Sequence, residues 1–192
     1  MKYIILFTVL VVVGFIVSLF FRLGAFREVT IAVGDQGPLR VVYKVHIGAY
    51  HKIVPVIEEV EKWVKANGEH CRISFGEYID DPANSVEDRM HSNGGCIVEK
   101  AWPQAGESTG ATPPGSPGLL PPDFVYREIP SRTYVKAEFD GAPSIGPIKV
   151  YPRVKKFMKE KSLTPDGPVI ETYEIMPGDK VVTRYLFPAK LH

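Results

Sequence analysis

The residue best suited to chemistry in this chain is Glu171, which lies inside an apolar segment near the C-terminus. In a β-strand, successive side chains point to opposite faces, so Glu171 shares a face with Val169, Tyr173 and Ile175. A carboxylate on an apolar face is costly to bury unless it is paired, protonated or neutralised by a ligand. One carboxylate among aromatic rings makes a sound site for a cation.

Four tyrosines are candidate walls of the same site, and each lies in a strand-like segment: Tyr173, Tyr78, Tyr185 and Tyr43. Two alternatives stay open on the residues alone. Tyrosines on a half-buried sheet are more often core residues than ligand contacts, and Glu171 is solvated if the other face of its strand is the buried one. We predict all five as ligand-binding residues and none as catalytic.

Other motifs that carry chemistry are missing from the sequence. It has no glycine-rich phosphate loop, no nucleophile elbow and no spacing typical of a catalytic triad. The five histidines are scattered, and no Cys/His spacing indicates a metal site. We therefore predict no metal and no cofactor, and the motifs give enzyme activity no direct support.

The charge balance argues against nucleic acid as a partner. The chain has 23 basic and 22 acidic side chains, a formal net charge of +1. Such a balance provides no attraction for a phosphate backbone. The length of 192 residues is enough for one domain with a proper core.

The N-terminus predicts a membrane anchor. The run from Tyr3 to Phe21 is uncharged and apolar, and at ~1.5 Å per residue it spans roughly the ~30 Å hydrocarbon core of a bilayer. The alternative is a cleaved signal peptide, but its apolar region usually has about 7 to 15 residues. We interpret residues 1–27 as a retained single-pass anchor and its flank, in a bacterial inner membrane or the endoplasmic reticulum. Basic residues flank both ends, so the side of the soluble part is not predicted.

Two cysteines, Cys71 and Cys96, fall near strands that are candidate neighbours. In an oxidising compartment such a pair can form a disulfide. We interpret them instead as two small, half-buried thiols.

The sequence after the N-terminal apolar run contains an internal repeat. Residues 77–82 and 172–177 share an aromatic-to-proline pattern at an offset of 95. An apolar helix stripe precedes each copy in the same phase: Ile57, Val60, Trp63 and Val64 correspond to Tyr151, Val154, Phe157 and Met158. The pattern predicts an α+β fold of duplicated βαββ units that form a pseudo-twofold antiparallel sheet with two helices on one face, preceded by one transmembrane helix.

The domain is predicted over residues 28–188. The first copy covers 28–102 and the second covers 123–188. Between them, residues 103–122 are rich in Pro, Gly, Ser and Thr without apolar periodicity, which is typical of a connecting loop. A ligand site is expected at the seam between the copies.

These motifs, in this order, resemble the GyrI-like (gyrase-inhibitor-like) small-molecule-binding domain over about residues 28–188. The runs that carry the resemblance are 42–48, 78–82, 150–152 and 171–173. It implies a groove at the pseudo-twofold axis, in which ligand-binding relatives place a glutamate at the position of Glu171 against lipophilic cations. The resemblance therefore favours an inward-facing Glu171.

Three functions follow from the resemblance. The first is a membrane-anchored domain whose groove binds a lipophilic or cationic small molecule. The second is a hydrolase of electrophilic compounds, since some relatives use a groove glutamate and tyrosine in this way. The third is a membrane adaptor: anchored ER-phagy receptors of this family bind protein partners through a long C-terminal tail, which we do not expect in this chain. An adaptor would use its surface instead, for example the basic helix face 153–161.

Overall fold

The computed structural model describes residues 1–102, 120–178 and 180–191. Most of the predicted connecting loop, residues 103–119, lies outside these ranges. The α+β fold class is confirmed: a curled antiparallel sheet carries two helices on one face, and an apolar helix precedes it. The helices of the described residues are α1 (Lys2–Arg22), α2 (Val54–Ala66) and α3 (Gly146–Glu160), with short 3₁₀ turns at Tyr50–Lys52 and Glu87–Arg89.

The sheet has nine strands among the described residues, and every pairing is antiparallel. Eight strands follow the order β1-β6-β9-β8-β3-β4-β2-β5, and β7 pairs with β9. Their bounds are β1 (Thr30–Gln36), β2 (Leu39–Ile47), β3 (Ile73–Tyr78), β4 (His91–Ile97), β5 (Val125–Ile129), β6 (Arg132–Phe139), β7 (Leu163–Pro165), β8 (Val169–Met176) and β9 (Lys180–Leu191).

The strand order is palindromic if β1 is matched with β5, β2 with β6, β3 with β8 and β4 with β9. The pairing of β3 with β8, called here the β3–β8 seam, lies at its centre. Each first strand pairs with the second strand of the other half, β1 with β6 and β5 with β2. The sequence did not predict this exchange. The duplication and the copy boundaries themselves stay predictions.

Helix α2 forms where the apolar stripe predicts it. Ile57, Val60 and Val64 are buried, and a proline stands in the first turn, where its missing N–H costs nothing. The helix ends at Asn67, and Gly68 follows with φ +80°, a conformation that favours glycine.

Helix α3 begins earlier than expected. Pro152 predicts a start near that residue, but the helix begins at Gly146 and includes Pro152. The extra turn is held from outside, because Lys149 Nζ donates to the Ala25 carbonyl at 2.7 Å. Val150 within this turn is fully buried against the sheet.

Both faces of the sheet are buried. On the face that carries α2 and α3, called here the helix face, two clusters pack beneath the helices. The opposite face, called here the far face, has its own buried cluster drawn from both halves of the curled sheet: Leu39, Val41, Tyr43, Phe75, Ile129, Tyr134, Ile170 and Leu186. Alternate residues of one strand therefore enter different cores.

The interpretation of Cys71 and Cys96 as thiols is wrong, because the structure joins them in a disulfide. Cys71 lies just before β3 and Cys96 lies in β4, and the pairing of these strands brings the Cα atoms to 5.4 Å, within the usual range. Beside the bond, the Glu69 carboxylate accepts the backbone N–H of Glu99 at 2.6 Å and Trp102 Nε1–H at 2.9 Å.

Helix α1 is fully exposed and has a mean hydropathy of 3.1, and it is the one helix of the described residues that is long and apolar enough to cross a membrane. Its C-terminal end is fixed to the domain. The Ala142 N–H donates to the Leu23 carbonyl at 2.9 Å, and Arg27 Nη1 pairs with Asp140 at 3.1 Å. We call these contacts, with the Lys149–Ala25 bond, the anchor clamp.

Reduction of the Cys71–Cys96 bond is expected to lower the free energy of unfolding. The bond links residues 25 apart in sequence, for which the chain-entropy relation gives about 3.5 kcal/mol. Urea unfolding of the full chain in detergent, followed by the fluorescence of Trp63 and Trp102 with and without reductant, measures the loss. The Cys71→Ser/Cys96→Ser variant is the control and should not respond to reductant; equal stability of the oxidised and reduced protein would contradict the expectation.

Candidate functional site

Glu171 lies on the helix face at the β3–β8 seam. It is directly opposite Gly76 of β3 and Tyr185 of β9. Only 4% of the residue is exposed. The structure therefore buries the carboxylate that the sequence singled out, on the face that carries both helices.

Two phenol groups hold the Glu171 carboxylate. Tyr151 Oη, from α3, donates to Oε1 at 2.9 Å, and Tyr173 Oη, from the same strand, donates to Oε2 at 3.0 Å. The hydroxyls of Tyr173 and Tyr78 are hydrogen-bonded to each other at 2.9 Å. Within the described ranges, no lysine, arginine or histidine pairs with this carboxylate. It is thus hydrogen-bonded but not neutralised.

This environment shifts the pKa of every group in the site. Burial raises the pKa of Glu171 to about 7, and the hydrogen bonds from Tyr151 and Tyr173 oppose that rise. Burial, and then the charge of Glu171, raises the pKa of Tyr151 and of Tyr173 far above the usual tyrosine value. Near neutral pH the tyrosines remain donors while Glu171 changes its charge.

Glycines make room for two of the tyrosine side chains. A Cβ on Gly76 would lie 2.9 Å from Tyr78 Oη, so this glycine lets the Tyr78 side chain fold back over its own strand toward Tyr173. A Cβ on Gly146, in the first turn of α3, would lie 1.8 Å from Tyr185 Oη. The Tyr185 ring also meets the Tyr151 ring edge to face, at 6.2 Å between centroids. Tyr185 is fully buried here, whereas Tyr78, Tyr151 and Tyr173 are half-buried.

The structure brings together four of the five predicted residues: Glu171, Tyr173, Tyr78 and Tyr185. It does not bring Tyr43 to them. Tyr43 pairs with Gly95 and points to the far face, where the Arg127 guanidinium lies 5.4 Å from the centre of its ring. The reason is the strand period, since the neighbouring position Val42 is the one on the helix face.

Sequence reasoning missed Tyr151. It was assigned to the apolar stripe of α3, in register with Ile57 of α2. Its ring does pack in that stripe, 5.1 Å from Phe187, but its hydroxyl reaches Glu171. The available signal was the hydroxyl of Tyr151 at the position that corresponds to Ile57 in the stripe of α2.

A second buried carboxylate of the sheet, Glu77, is paired with a cation and provides a comparison for Glu171. Glu77 follows Gly76 in β3 and points to the far face, where it is 4% exposed. It accepts Asn93 Nδ2–H and Arg127 Nη2–H, each at 2.6 Å. Glu77 therefore has a cation of its own, whereas Glu171 has none among the described residues.

No group of three or more His, Cys, Asp or Glu side chains in the described part of the chain is placed to hold a metal ion. The Glu171 site has one carboxylate and phenol hydroxyls, a set suited to an organic cation rather than to a tightly coordinated metal.

The family model of the GyrI-like small molecule binding domain matches residues 31–190. The chain belongs to this family. No curated protein matches it.

Solved structures share the fold at low identity. The C-terminal domain of EcmrR is 17% identical with a TM-score of 0.62, and the match covers 85% of this chain and 99% of that one. EcmrR in a complex with DNA is 15% identical with a TM-score of 0.62 over 92% of this chain, which spans only 64% of that protein. SAV2435 bound to tetraphenylphosphonium is 14% identical with a TM-score of 0.50, covering 84% and 94% of the two chains.

Stability should depend on pH through Glu171. Its pKa is raised from 4.5 to about 7 on folding, so the folded chain binds more protons between these values and stability falls as pH rises from about 4.5 to 7. Glu171→Gln has no such charge to bury. We expect the variant to gain about 2 to 4 kcal/mol relative to wild type between pH 5 and pH 8, measured by urea unfolding in detergent. A constant difference across this range would contradict the raised pKa.

Tyr151→Phe should raise the pKa of Glu171 further, by about 1 unit, because it removes a hydrogen bond to the charged form. The measurement is the ¹³C chemical shift of the Glu171 carboxyl carbon against pH. Tyr185→Phe is the matched control, since the Tyr185 hydroxyl lies against Gly146 and not on the carboxylate. Equal titrations of Glu171 in the two variants would exclude a role for the Tyr151 hydrogen bond.

Proposed function

We propose that this protein is a membrane-anchored small-molecule-binding domain that takes a lipophilic cation at Glu171. Tyr173, Tyr78, Tyr185 and Tyr151 form the walls, and α1 holds the domain at a bilayer. The observation that carries the proposal is the buried Glu171 carboxylate, which has two phenol donors and, among the described residues, no cation.

A cationic ligand supplies what this carboxylate lacks. Burial already opposes ionisation of Glu171, as its raised pKa records, and an opposite charge nearby favours the ionised form. Tyrosine faces add attraction for a cation, and more so where water is excluded. Hydrocarbon around the charged centre of the ligand fits the apolar surroundings of the site, so a lipophilic cation suits it better than a strongly hydrated one.

Ligand entry requires the tyrosines to part. The hydrogen bonds of Tyr151 and Tyr173 to the carboxylate are each worth about 1.5 to 3 kcal/mol to a charged acceptor, and the ligand replaces them with a charge pair. Tyr151 comes from α3 and Tyr173 from β8. A small displacement of α3 from the sheet is the simplest way to open the site.

A fold neighbour supports this class of ligand. SAV2435 binds tetraphenylphosphonium, a lipophilic cation, in its solved structure. The low identity shows a shared fold alone, so the support for this chain rests on its own carboxylate and tyrosines.

A hydrolase is the second candidate, favoured by one observation. A carboxyl group with a pKa of about 7 is well matched to general-base catalysis at neutral pH. In that case Glu171 would take a proton from a water that attacks an electrophilic ligand.

Binding of tetraphenylphosphonium to the full chain in detergent, followed by calorimetry at pH 8, tests the proposal. We expect saturable binding that weakens at least tenfold in Glu171→Gln, equivalent to about 1.4 kcal/mol. Because the cation binds the ionised carboxylate, affinity should fall about tenfold for each pH unit below about 7. Neutral triphenylphosphine oxide should bind more weakly and without this pH dependence.

Glu174→Gln is the matched control for this experiment, because Glu174 lies on the same strand but on the far face, paired with Arg184 at 2.6 Å. It should leave binding unchanged. Equal weakening by both variants, or equal affinity for the charged and neutral compounds, would overturn the proposal. Release of a product from an electrophilic ligand, lost in Glu171→Gln, would favour the hydrolase; a protein partner retained in that variant would favour the adaptor.

A further inference from the structure

The anchor clamp fixes one end of the domain close to the end of α1. The three clamp contacts join residues 23–27 to residues 140–149 without a free linker. Gly24 and Gly141 approach so closely that a Cβ on Gly24 would lie 2.9 Å from the Gly141 Cα. If α1 crosses a bilayer, the surface around this clamp faces the lipid.

Exposed apolar side chains gather around the clamp from separate segments. Ile148 in the first turn of α3 is 73% exposed, and Ile175 at the end of β8 is 71% exposed. Met176, which follows Ile175, and Phe26, which lies between the clamp residues Ala25 and Arg27, are exposed as well. The end of β8 is brought to the clamp by its partner strand, since Met176 pairs with Lys180 and Lys180 Nζ lies 2.5 Å from Asp140.

Basic side chains accompany these apolar ones. Arg22 ends α1, Arg27 and Lys180 share Asp140, and Lys149 lies against the clamp carbonyls. Asp140 is already paired with two of these cations. Exposed apolar residues ringed by lysine and arginine are typical of surfaces that enter the headgroup region of an anionic bilayer.

We propose that this surface, formed by Phe26, Ile148, Ile175 and Met176 with the basic residues around them, rests on the bilayer into which α1 inserts. The proposal depends on the membrane anchoring given above as part of the proposed function. In this orientation the clamp end of the domain lies against the lipid, and the opposite end of the sheet lies away from the bilayer.

The orientation places the first turn of α3, which covers one wall of the candidate ligand site, at the lipid side. The first turn of α3 carries Ile148 on this surface, and the same turn covers Tyr185 through Gly146. Tyr185 is paired directly with Glu171. A lipophilic cation that has partitioned into the bilayer therefore meets the domain at the end of α3 that closes the site.

The test measures the depth of single residues in vesicles. The full chain, with Cys71 and Cys96 bonded to each other, receives one further cysteine for a nitrobenzoxadiazole label by Ile175→Cys or Ile148→Cys. Ile47→Cys is the matched control: Ile47 is 62% exposed and lies at the end of β2 that pairs with His91, at the other end of the sheet. Val12→Cys, in α1, reports insertion. The vesicles contain phosphatidylcholine and phosphatidylserine, with nitroxide-labelled lipids at shallow or deep positions.

We expect labels at 175 and 148 to be quenched by the shallow nitroxide at least threefold more than the label at 47, with blue-shifted emission. The label at 12 should respond to the deep nitroxide. Insertion at 12 with equal quenching at 175, 148 and 47 would overturn the orientation and leave the anchoring intact. No quenching at 12 by the deep nitroxide would overturn the anchoring itself, and the orientation with it.

Discussion

The structure buries a carboxylate that has no counter-charge among the residues it describes, and both halves of the sheet meet at this group. Glu171 occupies the centre of the β3–β8 seam, where the two halves of the sheet meet. Its two hydrogen bonds come from phenols of different elements, so the position of α3 on the sheet and the conformation of β8 are tied to one acidic group. Because a buried charge is costly, any change in its ionisation or pairing acts directly on the contact between helix and sheet.

Glu77 shows that this sheet can pair a buried carboxylate with a cation, an arrangement that the described residues do not provide at Glu171. One residue from Gly76, on the far face, Glu77 is neutralised by Arg127 of the edge strand β5. The same sheet thus contains one satisfied carboxylate and one that lacks a cation among the described residues. A structural role alone would be served by the first arrangement. The arrangement at Glu171 depends on partial protonation and on hydrogen bonds from tyrosines. Buried titratable groups of this kind are typical of functional sites.

The sequence predicted the parts of the fold that depend on local period and missed those that depend on distant pairing. The stripe of α2 and the inward position of Glu171 follow from residue spacing and family resemblance. The curled sheet buries both of its faces, so the strand period alone does not say which core a residue enters. Tyr43 is buried on the far face and not beside Glu171 for this reason. The exchange of β1 and β5 and the Cys71–Cys96 bond arise from tertiary pairing, which no local pattern encodes.

The first turn of α3 lies between the C-terminal end of α1 and the buried Glu171 carboxylate. Lys149 binds the chain that leaves α1, while Gly146, three residues earlier, lies against Tyr185. Five residues along the helix from Gly146, the Tyr151 hydroxyl reaches Glu171. A rigid helix that is held at its beginning by the chain after α1 and further along by a titratable group cannot shift at one point without straining the other. The C-terminal end of α1 and the Glu171 carboxylate are therefore mechanically linked through α3.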